Sequence, residues 1–253
     1  MPKRKMCRNM NLMLPNILKI IFQFNCSSFN DRLQLQLVCK EWKNLCDDRT
    51  LISSLKLFFE PSKFFITDQL LFFLNSAVRV ELVCGNHNDE LIICHLHKCQ
   101  YLTLSGLVYS TIIAKCKDMP CLEEFVFEGY LNLVNISDFI GGNYPQVTDG
   151  WLHLKTLILK EKGPNQILLG CILHLFSGAL NLQHLSLFGY LIIYFNSQDL
   201  FHIHLRRLCF PNLVSLFYDN KYFCSDELPN LVKQFPKLKY VQTLFKLCQT
   251  SNS

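Results

Sequence analysis

The sequence predicts an α/β protein, a solenoid of short parallel strands and outer helices, preceded by a small all-α module. Three observations point there. One short phrase of the form apolar-x-x-apolar-x-apolar returns along most of the chain. Segments with helical periodicity separate its copies. Residues 10–48 contain no copy of it and read as short helices instead.

The phrase is clearest in "CQYLTLSGL" at 99–107, "CLEEFVFEGY" at 121–130, "LQHLSLFGY" at 182–190 and "LVSLFYDN" at 213–220. "LKTLILKEKG" at 154–163 and "LKYVQTLF" at 238–245 depart from it slightly, and weaker copies start at Ile52 and Ala77. Anchored on the first apolar residue, the copies fall at 52, 77, 99, 122, 154, 182, 213 and 238, at intervals of 22 to 32 residues. A glycine stands two residues after the last apolar position at Gly106, Gly129 and Gly189, with Asn220 in the same place. Both residue types accept positive φ, which predicts a shared turn ending each strand. A proline or turn residue marks the entry, as in "MPCL", "FPNL" and "FPKL".

Helices are expected in "TDQLLFFLNS", "YSTIIAKCKDM", "NQILLGCILHLF" and "SDELPNLVKQF", with Thr67 and Ser225 as N-caps ahead of acidic first turns. A strand-turn-helix unit of this size cannot bury its own apolar face, and stacking supplies a continuous core. The unit resembles the longer, irregular type of leucine-rich repeat, over residues 50–246 in about 7–8 copies. Repeats of that family often carry Asn or Cys three residues after the last strand leucine. Leu107, Tyr130, Lys162, Tyr190 and Lys221 stand there instead, so that side-chain ladder is missing.

The N-terminal module contains an ambiguous stretch, "DRLQLQLVCKEWKNLC" at 31–46. Leu33, Leu35 and Leu37 alternate with glutamines as in a half-buried strand. Leu33, Leu37, Val38, Trp42 and Leu45 equally form one helical stripe. Upstream, "LPNILKIIFQF" opens with Pro15 near the first helical position, where its missing N–H costs nothing. Leu14, Leu18, Ile21 and Phe22 make an apolar stripe on that helix. About 40 residues build little core alone, so such a stripe calls for a partner.

Leu14-Pro15, Ile21-Phe22, Asp31-Arg32 and Leu37-Val38-Cys39-Lys40-x-Trp42 together resemble an F-box. The acidic residue common after Leu-Pro in that family is missing here, and the loop between Phe22 and Val38 is slightly longer. The resemblance implies that 31–46 is helical. It also implies that Leu14, Pro15, Ile21, Phe22, Val38, Cys39 and Trp42 pack against a Skp-family adaptor, with Trp42 as a flat apolar anchor at the base of the contact. The plainer reading, that these residues are the module's own small core, is preferred for Leu18, Leu33 and Leu45.

Charge and composition exclude several other classes. Lys3, Arg4, Lys5 and Arg8 supply four of the net +5 charges, so the body is nearly neutral and lacks the basic stripe of a nucleic-acid binder. "PKRK" reads as a frayed basic terminus rather than a nuclear import signal. Pro15, Asn16 and Lys19 interrupt what would otherwise pass for a secretory leader. No apolar run reaches the roughly 18 residues of a membrane span. The 13 cysteines are odd in number and embedded in apolar runs, Cys84, Cys94, Cys171 and Cys209 among them, as buried reduced thiols would be. A cytoplasmic or nuclear setting is expected, and the sequons at Asn25 and Asn135 then have no meaning.

"CHLHKC" offers Cys94, His95, His97 and Cys99 as zinc ligands, but it runs into a repeat strand and Cys99 is an anchor facing the core. "FHIHL" at 201–205 is weaker still. No Gly-x-Ser-x-Gly elbow or phosphate loop is present. Neither a cofactor nor catalysis is expected. "GGNYPQVTDG" at 141–150 is a Gly-Pro-rich insertion that lengthens the interval from 122 to 154; it reads as a plain surface excursion in preference to a binding loop, and Trp151 after it is expected to pack at an edge or on the rim.

The two resemblances together imply a substrate-recognition subunit of an SCF-type ubiquitin ligase. Residues 10–48 would tether the Skp adaptor and, through it, a cullin scaffold, while the strand face would hold a protein substrate. Candidate contacts on that face are Thr103, Val126, Thr156, Ser186 and Ser215, with Glu81, Ile158 and Gln242 beside them. They are mixed, small and weakly charged, so no single electrostatic sign is expected. The alternative is a repeat scaffold or inhibitor whose N-terminal helices merely cap the solenoid. Residues 1–9 and 247–253 read as tails.

Overall fold

The structure, a computed structural model, describes residues 34–37, 40–46, 56–60, 68–86, 89–132, 150–162, 175–176, 178–189, 210–218, 232–243 and 246–249. Among them lie four α-helices: α1 (Lys40–Cys46), α2 (Asp68–Ser76), α3 (Glu90–Ile93) and α4 (Ser110–Cys116). The strands are β1 (Lys56–Phe59), β2 (Arg79–Cys84), β3 (Tyr101–Tyr109), β4 (Glu124–Asn132), β5 (Thr156–Glu161), β6 (His184–Gly189), β7 (Ser215–Tyr218), β8 (Tyr240–Thr243) and β9 (Lys246–Gln249). All belong to one open sheet whose strands lie side by side in chain order. β1 to β8 are parallel, so each connection returns the chain to the same end of the sheet, and β9 folds back antiparallel on β8. The protein is therefore α/β, with eight parallel strands laid side by side in chain order.

The entry to each strand explains why the phrase repeats. Two residues before the strand stands a buried residue, namely Ala77, Cys99, Leu122, Leu154, Leu182, Leu213 or Leu238. In most copies its amide donates to the carbonyl three residues back, as from Leu154 to Trp151 and from Leu213 to Phe210, each at 3.1 Å. The next two amides then share one carbonyl of the preceding copy: Glu123 and Glu124 on Gln100, Lys155 and Thr156 on Glu123, Gln183 and His184 on Lys155. Those bonds fix the register of each strand on its predecessor before the ladder begins.

Alternation along each strand sends every second side chain into the core. Leu102, Phe125, Leu157, Leu185, Leu216 and Val241 form one buried row across consecutive strands, and Leu82, Leu104, Phe127, Leu159 and Leu187 form the next. Phe73 and Leu74 of α2, Ile92 and Ile93 of α3, and Ile112 and Ile113 of α4 cover those rows from the helical side. Fully burying a side chain of this size stabilises by about 1.5–3 kcal/mol, so the shared core carries the fold.

Several expectations are corrected. β1 pairs Leu57 with Val80 and Phe59 with Leu82, so the first copy is shifted by two residues from an anchor at Ile52. The strands also do not stop at the glycines. β3 runs through Gly106 and β4 through Gly129. Gly106 has φ +81, but Gly129 has no positive φ. It is glycine because a Cβ there would sit 2.2 Å from the Gly106 carbonyl oxygen. Gly189 is the last described residue of β6, and Asn220 lies outside the described residues.

Two short elements were not foreseen: the four-residue α3 and β9, which occupies part of the presumed tail. Trp151 is a core residue and not an edge or rim contact. It is 2 % exposed, its Nε1 donates to the Leu175 carbonyl at 2.8 Å, and its ring lies 4.4 Å from that of Phe176. Its φ of 59° is unusual for a bulky side chain, and that ring contact and hydrogen bond, with a second hydrogen bond donated by its backbone N–H to the Lys117 carbonyl at 2.9 Å, hold it there. Cys94 is exposed, while Cys84, Cys99 and Cys116 are buried thiols. Cys171, Cys209, Thr67, Ser225, the 141–149 loop and most of the helical segments expected at 165–176 and 225–235 lie outside the described residues.

Candidate protein-binding face

The side of the sheet away from the helices is made by the alternate residues, and the register arranges them in rows. The row through the strand middles reads Phe58, Glu81, Thr103, Val126, Ile158, Ser186, Phe217 and Gln242. The row nearer the strand entries holds Arg79, Tyr101, Glu124, Thr156, His184, Ser215 and Tyr240. On the far side follow Val83, Ser105, Glu128, Lys160 and Phe188. Thr103, Val126 and Ser186 thus share one row, while Thr156 and Ser215 sit one row over; all five are half-buried.

This face is neither small nor weakly charged, contrary to expectation. Phe188 and Phe217 pack at 4.6 Å between ring centroids, and the Lys160 ammonium lies 5.6 Å from the Phe188 ring. Val126 and Ile158 continue the apolar surface in the middle row. Across β2 to β4 the character is polar. The Arg79 guanidinium lies 4.6 Å over the Tyr101 ring, and a shallow depression of about 290 Å³ is lined by Arg79, Val80, Tyr101, Thr103 and Glu124. Both signs of charge are present, as expected. Sequence reading missed the aromatic and charged members because it followed single phrases, whereas rows exist only once the strands are registered.

Glu128 sits between two lysines, 3.1 Å from Lys162 and 3.5 Å from Lys160. The hydrogen bond from Lys162, helped by the nearby Lys160 charge, holds its carboxyl below the usual carboxylate range against the opposing effect of partial burial. His184 Nδ1 and Ser215 Oγ are 2.7 Å apart on neighbouring strands. Both are bound into the sheet by their backbones, and the pair reads as a cross-strand contact.

The cysteines and histidines of 94–99 do not converge. Cys94 and His97 are exposed, whereas Cys99 is buried with its Sγ donating to the Tyr101 carbonyl at 3.3 Å. Among the described residues no three His, Cys, Asp or Glu side chains group as metal ligands.

At the N-terminal end, residues 34–36 and α1 are helical, which favours the helical reading of the ambiguous stretch. Leu37 is 79 % exposed and so does not join a buried stripe; Trp42 is 7 % exposed and does not belong to the main core. Leu14, Pro15, Ile21, Phe22, Val38 and Cys39 lie outside the described residues. Among the described residues no helix is long and apolar enough to cross a membrane. No family model matches the chain, and no curated protein matches it in sequence.

Proposed function

We propose that the chain is an F-box protein with leucine-rich repeats, acting as the substrate-recognition subunit of an SCF-type ubiquitin ligase. The single observation that carries the reading is the order of its parts. Leu14-Pro15, Ile21-Phe22 and Leu37-Val38-Cys39-Lys40-x-Trp42 precede a parallel sheet that advances one strand per phrase and has one face uncovered by the described helices. Residues 10–48 bind a Skp-family adaptor and, through it, a cullin scaffold. The open face holds a protein substrate, with the Phe188–Phe217 patch as apolar anchor and the Arg79–Tyr101–Glu124 depression as polar contact. No bond is made or broken by this chain; it contributes proximity between a substrate and a ubiquitin-loaded enzyme.

One observation favours the alternative of a repeat scaffold or inhibitor: Trp42 is buried in the free chain, as a residue of the module's own core would be. Pull-down on an immobilised Skp-family adaptor separates the two. Leu37→Asp alters an exposed apolar side chain of the F-box-like motif and Pro15→Ala a residue that the resemblance assigns to the adaptor contact, and circular dichroism checks that each variant folds. Capture of the wild type with loss in the two folded variants supports the ligase reading. A folded wild type that is not captured favours the scaffold.

A further inference from the structure

The strand entries form a second surface, independent of the open face and of the ligase reading. The residue four positions before each strand start is exposed and apolar in five consecutive copies: Pro120, Leu152, Leu180, Pro211 and Pro236. Leu152 and Leu180 are 68 % and 52 % exposed. The strand register places the five side by side. Side chains bind the rim together, since Asn181 Nδ2 donates to the Leu152 carbonyl at 2.7 Å and Asn212 Nδ2 to the Leu180 carbonyl at 2.9 Å. Lys237 Nζ continues the series onto Asn212 Oδ1 at 2.6 Å. The stripe is thus held in place before any partner arrives, which lowers the ordering cost of binding.

The charges beside it are lopsided. Lys98 stands at one end of the stripe, Lys237 and Lys239 at the other, all exposed. Of the carboxylates on this rim among the described residues, Glu123 is engaged by Lys155 at 3.0 Å, leaving Asp118. Parallel strands lie about 4.8 Å apart, so five copies span roughly 19 Å. An α-helix rises about 5.4 Å per turn, which matches one apolar side chain per strand over three to four turns. The basic segment with Lys3, Arg4, Lys5 and Arg8 would be repelled by the same lysines.

We infer that the strand-entry rim is a docking site for an acidic amphipathic helix of a partner protein. Its apolar face lies along Pro120 to Pro236, and its carboxylates meet Lys98 at one end and Lys237 and Lys239 at the other.

The test uses the full chain and a fluorescein-labelled 14-residue helical peptide with leucines on one face and glutamates on the other, read by anisotropy. A matched peptide with lysines in place of glutamates is the control. The glutamate peptide is expected to bind at least tenfold more tightly than the lysine peptide. Leu152→Asp with Leu180→Asp should weaken it at least tenfold, and Lys237→Glu with Lys239→Glu should reverse the preference. Circular dichroism checks that the variants fold. No binding of the glutamate peptide, equal binding of both peptides, or unchanged binding by the folded leucine variant overturns the inference. So does binding to phosphatidylserine vesicles that the leucine variant abolishes, which would make the rim a membrane-contact surface.

Discussion

Gly129→Ala tests whether the sheet is as closely stacked as its register implies. The added Cβ would stand 2.2 Å from the Gly106 carbonyl oxygen and 2.9 Å from the Gly106 nitrogen. Atoms in comfortable contact sit roughly 3.5 Å apart, so β3 and β4 would have to separate by about 1.3 Å. The obstructing atoms are backbone in the middle of a nine-residue ladder, which has no flexible end to swing aside. Overpacking costs about 1–3 kcal/mol, and this site belongs at the upper end, ~3 kcal/mol. In a chain of this size each kcal/mol lowers Tm by about 2–4 °C, which makes the expected fall about 6–12 °C by calorimetry. Gly85→Ala is the control, because nothing lies within 4 Å of its Cβ position. With its backbone outside the left-handed region, it should leave stability unchanged or raise it by about 0.4–1 kcal/mol. A Gly129→Ala protein within about 0.5 kcal/mol of the wild type, the scale of ordinary surface changes, would refute the close approach.

Other outcomes follow from the same structure. Burial pushes the Cys84 and Cys99 thiols up to about 12, so native protein at mildly alkaline pH should react with a thiol reagent at Cys94 while Cys84, Cys99 and Cys116 stay protected. Folded-state values above the ordinary 9.0 also mean that the thiols' contribution to stability is intact below pH 9.0 and is lost as pH rises toward about 12, which denaturant titrations at alkaline pH would read. Glu128 has the opposite sign. Its depressed value makes Glu128→Gln less stable than wild type near neutrality, and the difference should fade as pH falls through the carboxylate range. The effect is small, about 0.2–1 kcal/mol, because the pair is solvated, and salt should reduce it. Asn181→Ala removes one rim hydrogen bond and should cost about 0.5–1.5 kcal/mol in urea unfolding, and Asn212→Ala, which removes two, should cost at least as much.

The spacing of the phrase was the most legible feature of the sequence. From the second copy onward, each strand begins two residues after its anchor, because the buried anchor, the entry turn and the shared carbonyl form one local device. The first copy misled because "LISSLKLFF" fits the full apolar spacing from Ile52, whereas the register that pairs Leu57 with Val80 puts the polar Ser54 at the anchor. Gly129 was recognised by position but for the wrong cause: close approach of a neighbouring strand is a tertiary fact that no local turn rule contains. Phe188 and Phe217 were overlooked for a related reason, since their contact spans 29 residues of sequence and depends on the register of β6 and β7. Trp151 followed a Gly-rich insertion and looked peripheral, yet it fills the buried turn position that Ala179, Phe210 and Phe235 take in later copies. α3 and β9, at four residues each, are too short for periodicity to declare.

Light scattering of the intact chain mixed with a purified Skp-family adaptor tests whether the N-terminal module is a tether. A one-to-one complex is expected for the wild type and for Phe217→Asp, which alters the open face, and its loss in folded Leu37→Asp. A folded wild type that stays monomeric beside the adaptor would contradict it.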